Sequence, residues 1–445
     1  MEHIKNNRKN RWFYPLCRGR FRNSQIRFIF DGIAVNAALI LTTGPFLSGY
    51  IVLLKGSDFL AGLLNNSGTW ASLISISFFL LYNRLDRPKR LLITLFLLSR
   101  ISICSIIFLP LFIKDKNLIL SCMTALVVVG NLLWGFYSAG ANVWLARILP
   151  RETRADYVFT RMFWLRISFT LTTIVMGVLL DWFRKSYTGF LIVFLTSLVF
   201  SIIDLVILSG IQEPDAEEIP RSGASFNDFL EPWSHPEYRH FLVFSLLFYL
   251  ATSLANSFTP LYYIRYLKLS YSAISAINVL TYLAMIFCTN FWGRIQRQQG
   301  SIYVLWITAI FIGSEFIFDS FLTTRTVFLL ALAPLLSGIG YSGFNTTTFN
   351  YRYEIMPERN QVIYEGWFGA MMGLGVLAGP VLGSWLMDQL PRFQNRLYQF
   401  SQYQLLYLIA FCCTMLVILF FFRDSIRERL GAPKNNRNPG SSIPG

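Results

Sequence analysis

Two decapeptides decide how this chain folds: ILPRETRADY at residues 148–157 and IMPERNQVIY at 355–364. Isoleucine, proline and tyrosine stand at matching places in both, and each polar, proline-bearing stretch sits between long apolar runs. Outward from them, nine runs of 18 or more residues contain no Asp, Glu, Lys or Arg: 32–54, 59–83, 117–146, 186–203, 241–264, 269–293, 326–351, 366–387 and 397–422. Three further apolar segments, about 91–113, 162–180 and 302–322, are interrupted only by one or two charges. Each is long enough to cross about 30 Å of hydrocarbon as a helix. Numbered in chain order they make spans 1 to 12.

Composition agrees. The 445 residues are 54% hydrophobic and only 14% charged, with a mean hydropathy of +0.47, whereas soluble domains carry roughly 25% charged residues. Hydrocarbon supplies no partners for backbone N–H and C=O groups, so spans of this length must be helical. The predicted fold is an all-α polytopic membrane protein. Most Lys and Arg fall on the segments that share a side with the N-terminus, which predicts a cell-membrane protein with both termini cytoplasmic. The same rule accounts for the net charge of +15, and no basic domain stands apart to bind nucleic acid. The basic, aromatic arm of residues 1–25 suits an anionic inner leaflet rather than a signal peptide. Six cysteines without a CxxC pair indicate neither a disulfide framework nor a metal site, and His235 and His240 in HPEYRH are read as solvated loop residues. No motif calls for a cofactor.

The decapeptides lie after span 4 and after span 10, the fourth of six in each case. With Pro150 set on Pro357, the same offset pairs Ile148 with Ile355, Tyr157 with Tyr364 and Asp181 with Asp388. A second echo, LKGS at 54–57 and LKLS at 267–270, follows spans 1 and 7. The chain therefore divides into a six-helix bundle over 26–210, a polar linker over 211–240, a second bundle over 241–423 and a tail over 424–445. Duplicated six-helix halves with a substrate site between them near the midplane are one large transporter architecture.

On this architecture the chain, over about residues 26–423, resembles the major facilitator superfamily. YNRLDRPKR at 82–90 is similar to the family's loop between spans 2 and 3, with Tyr82 where the glycine should stand; the resemblance makes Asp86, Arg87 and Arg90 gating residues. WGRIQRQQG at 292–300 keeps Gly293 and lacks the acid. GNLLWG at 130–135 has Asn131 where proton-coupled members have an arginine. GLGVLAGPVLGS at 373–384 is similar to a drug-antiporter motif but lies in span 11 instead of span 5, and its glycines are read as packing.

The resemblance implies a cavity lined by spans 1, 2, 4, 5, 7, 8, 10 and 11. Polar residues there recur at three or four, on one helical face each: Asn131, Trp134, Ser138 and Asn142 in span 4, Arg166, Thr170 and Thr173 in span 5, Ser253, Asn256 and Ser257 in span 7, Tyr341, Asn345, Thr348 and Arg352 in span 10. From these sets the residues singled out are Asn131, Trp134, Asn142, Arg166, Asn256, Tyr341 and Asn345. They are candidate solute ligands, with interhelical hydrogen bonding as the plain alternative. Asp31, Arg100 and Glu315, charged inside spans, are candidates for proton coupling or charge pairing, Arg166 being one partner open to Asp31. The expected protein is a monomeric, non-enzymatic secondary transporter of a small hydrophilic solute, a sugar, glycoside or organic anion, with protons as a coupling partner and the bilayer as its surroundings. A multidrug-type exporter and a non-transporting sensor or scaffold are the alternatives.

Overall fold

The computed structural model describes residues 17, 20–74, 88–149, 154–212, 226–326, 328–357, 361–395 and 397–429. Ten helices among them are long and apolar enough to cross a membrane. The other two expected spans are the segment from Asp58, whose helices run to Ile74, and the polar-faced helix Leu329–Ile355. Span 1 comprises Arg22–Ile40 and Gly44–Leu53, and spans 3 to 6 start at Pro88, Lys116, Arg154 and Tyr187. In the second half Pro236–Asn256, with a continuation to Tyr266, forms span 7; Tyr271–Gln299, Ser301–Ser320, Gln361–Gln389 and Ser401–Arg429 are spans 8, 9, 11 and 12. The face at which span 1 begins is called the near face, and the opposite one the far face.

The sequence echoes are structural echoes. In LKGS and LKLS the lysines Lys55 and Lys268 both adopt left-handed backbone, with φ of 56° and 54°. Two residues later Ser57 and Ser270 cap spans 2 and 8, accepting the N–H groups of Leu60 and Ala273. Each serine satisfies one of the donors that a helix start leaves open. The decapeptides brace the near face. Tyr157 donates to the Gln25 carbonyl at 2.7 Å and Gln25 donates to the Ile148 carbonyl at 2.8 Å, tying spans 1, 4 and 5. In the second half Tyr238 donates to the Tyr364 carbonyl at 2.7 Å, tying span 7 to span 11.

Two expectations change. The HPEYRH stretch is not a loop: span 7 starts at Pro236, a residue suited to a first helical turn because its missing N–H costs nothing there. Within the expected linker, Phe226–Ser234 is a helix. Its Phe229 carbonyl accepts the Trp367 indole N–H at 2.7 Å, and Trp233 packs edge-on to Trp367 of span 11. Cys17 of the arm is buried among Phe28, Trp144 and Tyr157, and burial pushes its thiol up.

Candidate functional site

The halves meet along span 2 with span 11 and span 5 with span 8. At the far face Asp58, at the start of span 2, pairs with Arg265 of span 7. It also accepts the hydroxyls of Tyr266, at 2.6 Å, and of Tyr403 in span 12. Arg265 donates in addition to the Gly56 carbonyl at 2.9 Å. Arg265 and Tyr266 belong to a π-helical turn, Tyr262–Tyr266, a rare geometry that re-aims side chains. Beside this latch, Asp181 accepts the N–H groups of Tyr271 and Ser272 at 2.9 and 2.8 Å, placing a carboxylate on the positive end of span 8. Asn66 donates to Ser257 at 2.9 Å. Spans 5 and 8 touch so closely that a Cβ on Gly177 would lie 2.5 Å from Ser275 Oγ. Among the described residues, the inter-half hydrogen bonds run from the far face to about mid-depth, where Ser72 donates to the Gly369 carbonyl.

Inside the first half, four spans bring charge together. Arg161 of span 5 reaches Asp31 at 3.5 Å and donates to the Phe28 carbonyl at 3.1 Å. The partner of Asp31 is thus Arg161 and not Arg166. Asp204 of span 6 lies within hydrogen-bonding reach of Asp31. Arg100 of span 3 sits over the Trp134 ring at 4.8 Å and donates to Ser99. Its Nε and Nη1, with Asp31 Oδ1 and both Asp204 oxygens, are buried without a donor–acceptor partner among the described residues. Two carboxylates in contact lack a hydrogen between them, so the Asp31–Asp204 contact closes only when one of them holds a proton. Arg161 alone keeps measurable exposure, 14% of its side chain, against 3% for Asp31, so it lies between the buried acids and the accessible space.

The remaining expected site residues separate into three environments. Asn131 is buried between spans 4 and 2, its amide donating to Ser67 Oγ at 2.9 Å and to the Val127 carbonyl at 3.0 Å, so it braces the first half. Arg166 stands at the seam facing Tyr282 of span 8, whose ring packs on Phe169 at 4.8 Å. In the second half Asn256 lies within hydrogen-bonding reach of Tyr341, with Glu315 close to Tyr341, and Asn345 is exposed one turn along span 10. The side chain of Asn142, and Asp86 and Arg87 altogether, lie outside the described residues. Arg90 is exposed, while neighbouring Lys89 donates to the carbonyls of Ser209 and Ile211, both at 2.7 Å, at the end of span 6. Sequence reasoning missed Arg161, Asp58 and Arg265. The last two flank the LKGS and LKLS echoes, which was the available signal.

Two pseudo-repeated helical halves, sealed against each other at one face and carrying buried charge within, define a transporter of the major facilitator type. The MFS_1 like family model matches residues 45–400, and the protein belongs to that family. An uncharacterized MFS-type transporter of Mycobacterium tuberculosis (strain CDC 1551 / Oshkosh) is 30% identical over 98 residues, which is 22% of this chain and 13% of that relative. The match thus spans only a small part of the curated relative's length. The nucleoside transporter NupG superposes with a TM-score of 0.65 at 15% identity, covering 90% of this chain and 98% of that one. A D-xylose-proton symporter gives 0.65 at 14% identity over 90% and 97%. The human organic anion transporter MFSD10 gives 0.62 at 12% over 91% and 100%. At these identities the likeness is one of fold.

Proposed function

We propose that the protein is a secondary active transporter of the cell membrane that carries a small hydrophilic solute, a sugar or glycoside or an organic anion, by alternating access coupled to protons. The observation that supports this reading is the far-face seal between the halves, where Asp58 gathers Arg265, Tyr266 and Tyr403 and Asp181 caps span 8. With the termini cytoplasmic, as the basic loops suggest, this is a state closed to the outside. Arg166 at the seam supplies a cation for a carboxylate, and Asn256, Tyr341 and Asn345 supply amide and hydroxyl groups for a polyol. Asn131, Trp134 and Asn142 remain candidates through their span, Asn131 in a bracing role. Asp31, paired with Arg161 and touching Asp204, is the candidate proton carrier, with Arg100 holding the opposite charge near Asp204. Asp86, Arg87 and Arg90 are retained as near-face gate residues. The structural neighbours named above include transporters of nucleosides, of xylose with protons and of organic anions, which supports a hydrophilic cargo.

The test begins with stabilisation of purified protein across solute classes, since a ligand at 100 times its dissociation constant adds about 2.7 kcal/mol. The hit is then followed in liposomes. Asp31→Asn is expected to reduce gradient-driven accumulation by about tenfold or more while solute counterflow continues, because exchange needs the gate but no net proton movement. Arg166→Ala is expected to weaken carboxylates selectively. Undiminished accumulation by Asp31→Asn would remove that residue from the coupling role. Absence of any stabilising class, in detergent and in lipid, would favour a sensor or scaffold.

A further inference from the structure

The second half carries a pair of acids that the reading above leaves largely unused. Glu315 and Asp319 stand one turn apart on span 9. Asp319 is 1% exposed, and both of its carboxylate oxygens are buried without a hydrogen-bond partner among the described residues. Glu315 has Ser337 of span 10 within hydrogen-bonding reach, although the single Ser337 hydroxyl hydrogen is also directed at the Pro334 carbonyl. Among the described residues, the titratable groups around the pair are Tyr262 and Tyr263 of span 7, Tyr341 of span 10 and Tyr407 of span 12. These are hydroxyls; none is a cation. The first half balances its acids with Arg100 and Arg161, whereas two ionised carboxylates here would stand at i and i+4 with no cation opposite them among the described residues.

A path leads from these acids to the far-face latch. Tyr262 stacks on Tyr403 at 5.2 Å and on Tyr266 at 6.2 Å, and meets Tyr407 at 5.8 Å. Tyr403 and Tyr266 are the two tyrosines that donate to Asp58 across the seam. We propose that Asp319, with Glu315, is a proton-binding site of the second half, and that its occupancy controls the Asp58 latch through this tyrosine stack. The closed far face buries Asp319, beside a half-buried Glu315, and holds the proton; opening it hydrates Asp319 and lets the proton go. Acid therefore favours the closed face, and raising the pH releases it. This deepens the transport reading by giving the far gate its own proton, separate from Asp31.

The test needs no solute, so its failure is distinct from failure of the transport reading. Hydrogen exchange of segments 54–62 and 262–272 is measured on the full chain in lipid at pH 6 and pH 8, corrected for intrinsic rates. Wild type is expected to lose about tenfold protection at pH 8, the change produced by one pH unit of differential proton binding. Asp319→Asn, a neutral isostere, is expected to stay protected at both pH values, while Asp31→Asn behaves as wild type. If Asp319→Asn does not fold, Glu315→Gln decides. Removing the like charge lets Asp319 ionise earlier, so protection should be lost at lower pH, and an unchanged profile overturns the proposal. Equal pH dependence in wild type and Asp319→Asn also overturns it, as does a wild-type response to Na+ replacing choline at fixed pH.

Discussion

Asp58→Ala is expected to open the far face. In spin-label distance measurements between positions 114 and 325, both in exposed far-face turns on opposite halves, the distribution should move to longer separations. The reason is that one carboxylate gathers three donors across the seam: Arg265, Tyr266 and Tyr403. Hydrogen bonds to charged groups contribute about 1.5–3 kcal/mol each. Loss of even one changes the closed-to-open ratio by about tenfold to more than a hundredfold. Arg265 would keep only its bond to the Gly56 carbonyl. Arg265→Lys should act in the same direction, because a single ammonium does not reproduce the planar fork that reaches both Asp58 and Gly56. An unchanged distance distribution in Asp58→Ala would sink the latch as the far-face gate.

Gly383→Val should lower the thermal stability and yield of the protein more than any other single apolar substitution named here, a loss of about 3 kcal/mol or more. A Cβ at Gly383 would lie 2.4 Å from the Leu254 carbonyl oxygen, and one at Gly379 would lie 2.8 Å from the Ser253 carbonyl carbon. Both obstacles are backbone of span 7, so no rotamer change relieves them, and spans 7 and 11 must separate. Gly293 provides the contrast. It is helical and has no atom within 4 Å of an added Cβ, so Gly293→Ala should be neutral or stabilising by up to about 1 kcal/mol. Thermal unfolding of the two variants in the same detergent distinguishes packing from a general intolerance of side chains. Equal behaviour would remove the close approach as the cause.

These two cases also show where sequence was informative. Twelve spans, two halves and the glycine packing in span 11 were legible because each depends on local pattern: run length, a proline and serine at fixed places, glycines spaced by four. Asp31, Arg100 and Glu315 were legible as charges in the wrong solvent. Their partners were not, since the Arg161 that meets Asp31 is 130 residues away and no periodicity encodes that distance. Asp58 and Arg265 hid for another reason: a charge in a short inter-span turn is ordinarily solvated, and only the folded seam reveals that these two face each other. Asp319 stood at the edge of its span, where an acid is unremarkable by composition. The Glu315–Asp319 spacing of four was the one local hint that both acids share a face.

The helix Phe226–Ser234, fixed to Trp367 of span 11, means that this part of the connection between the halves belongs with the second bundle. A chain severed ahead of Phe226 would yield two polypeptides, each with six complete spans and its own near-face brace. What would then keep them in register is the seam itself: the Asp58 latch, the Asp181 cap on span 8 and the close contact at Gly177. Covalent continuity is in that sense a convenience of synthesis, and the association of the halves is a property of their surfaces.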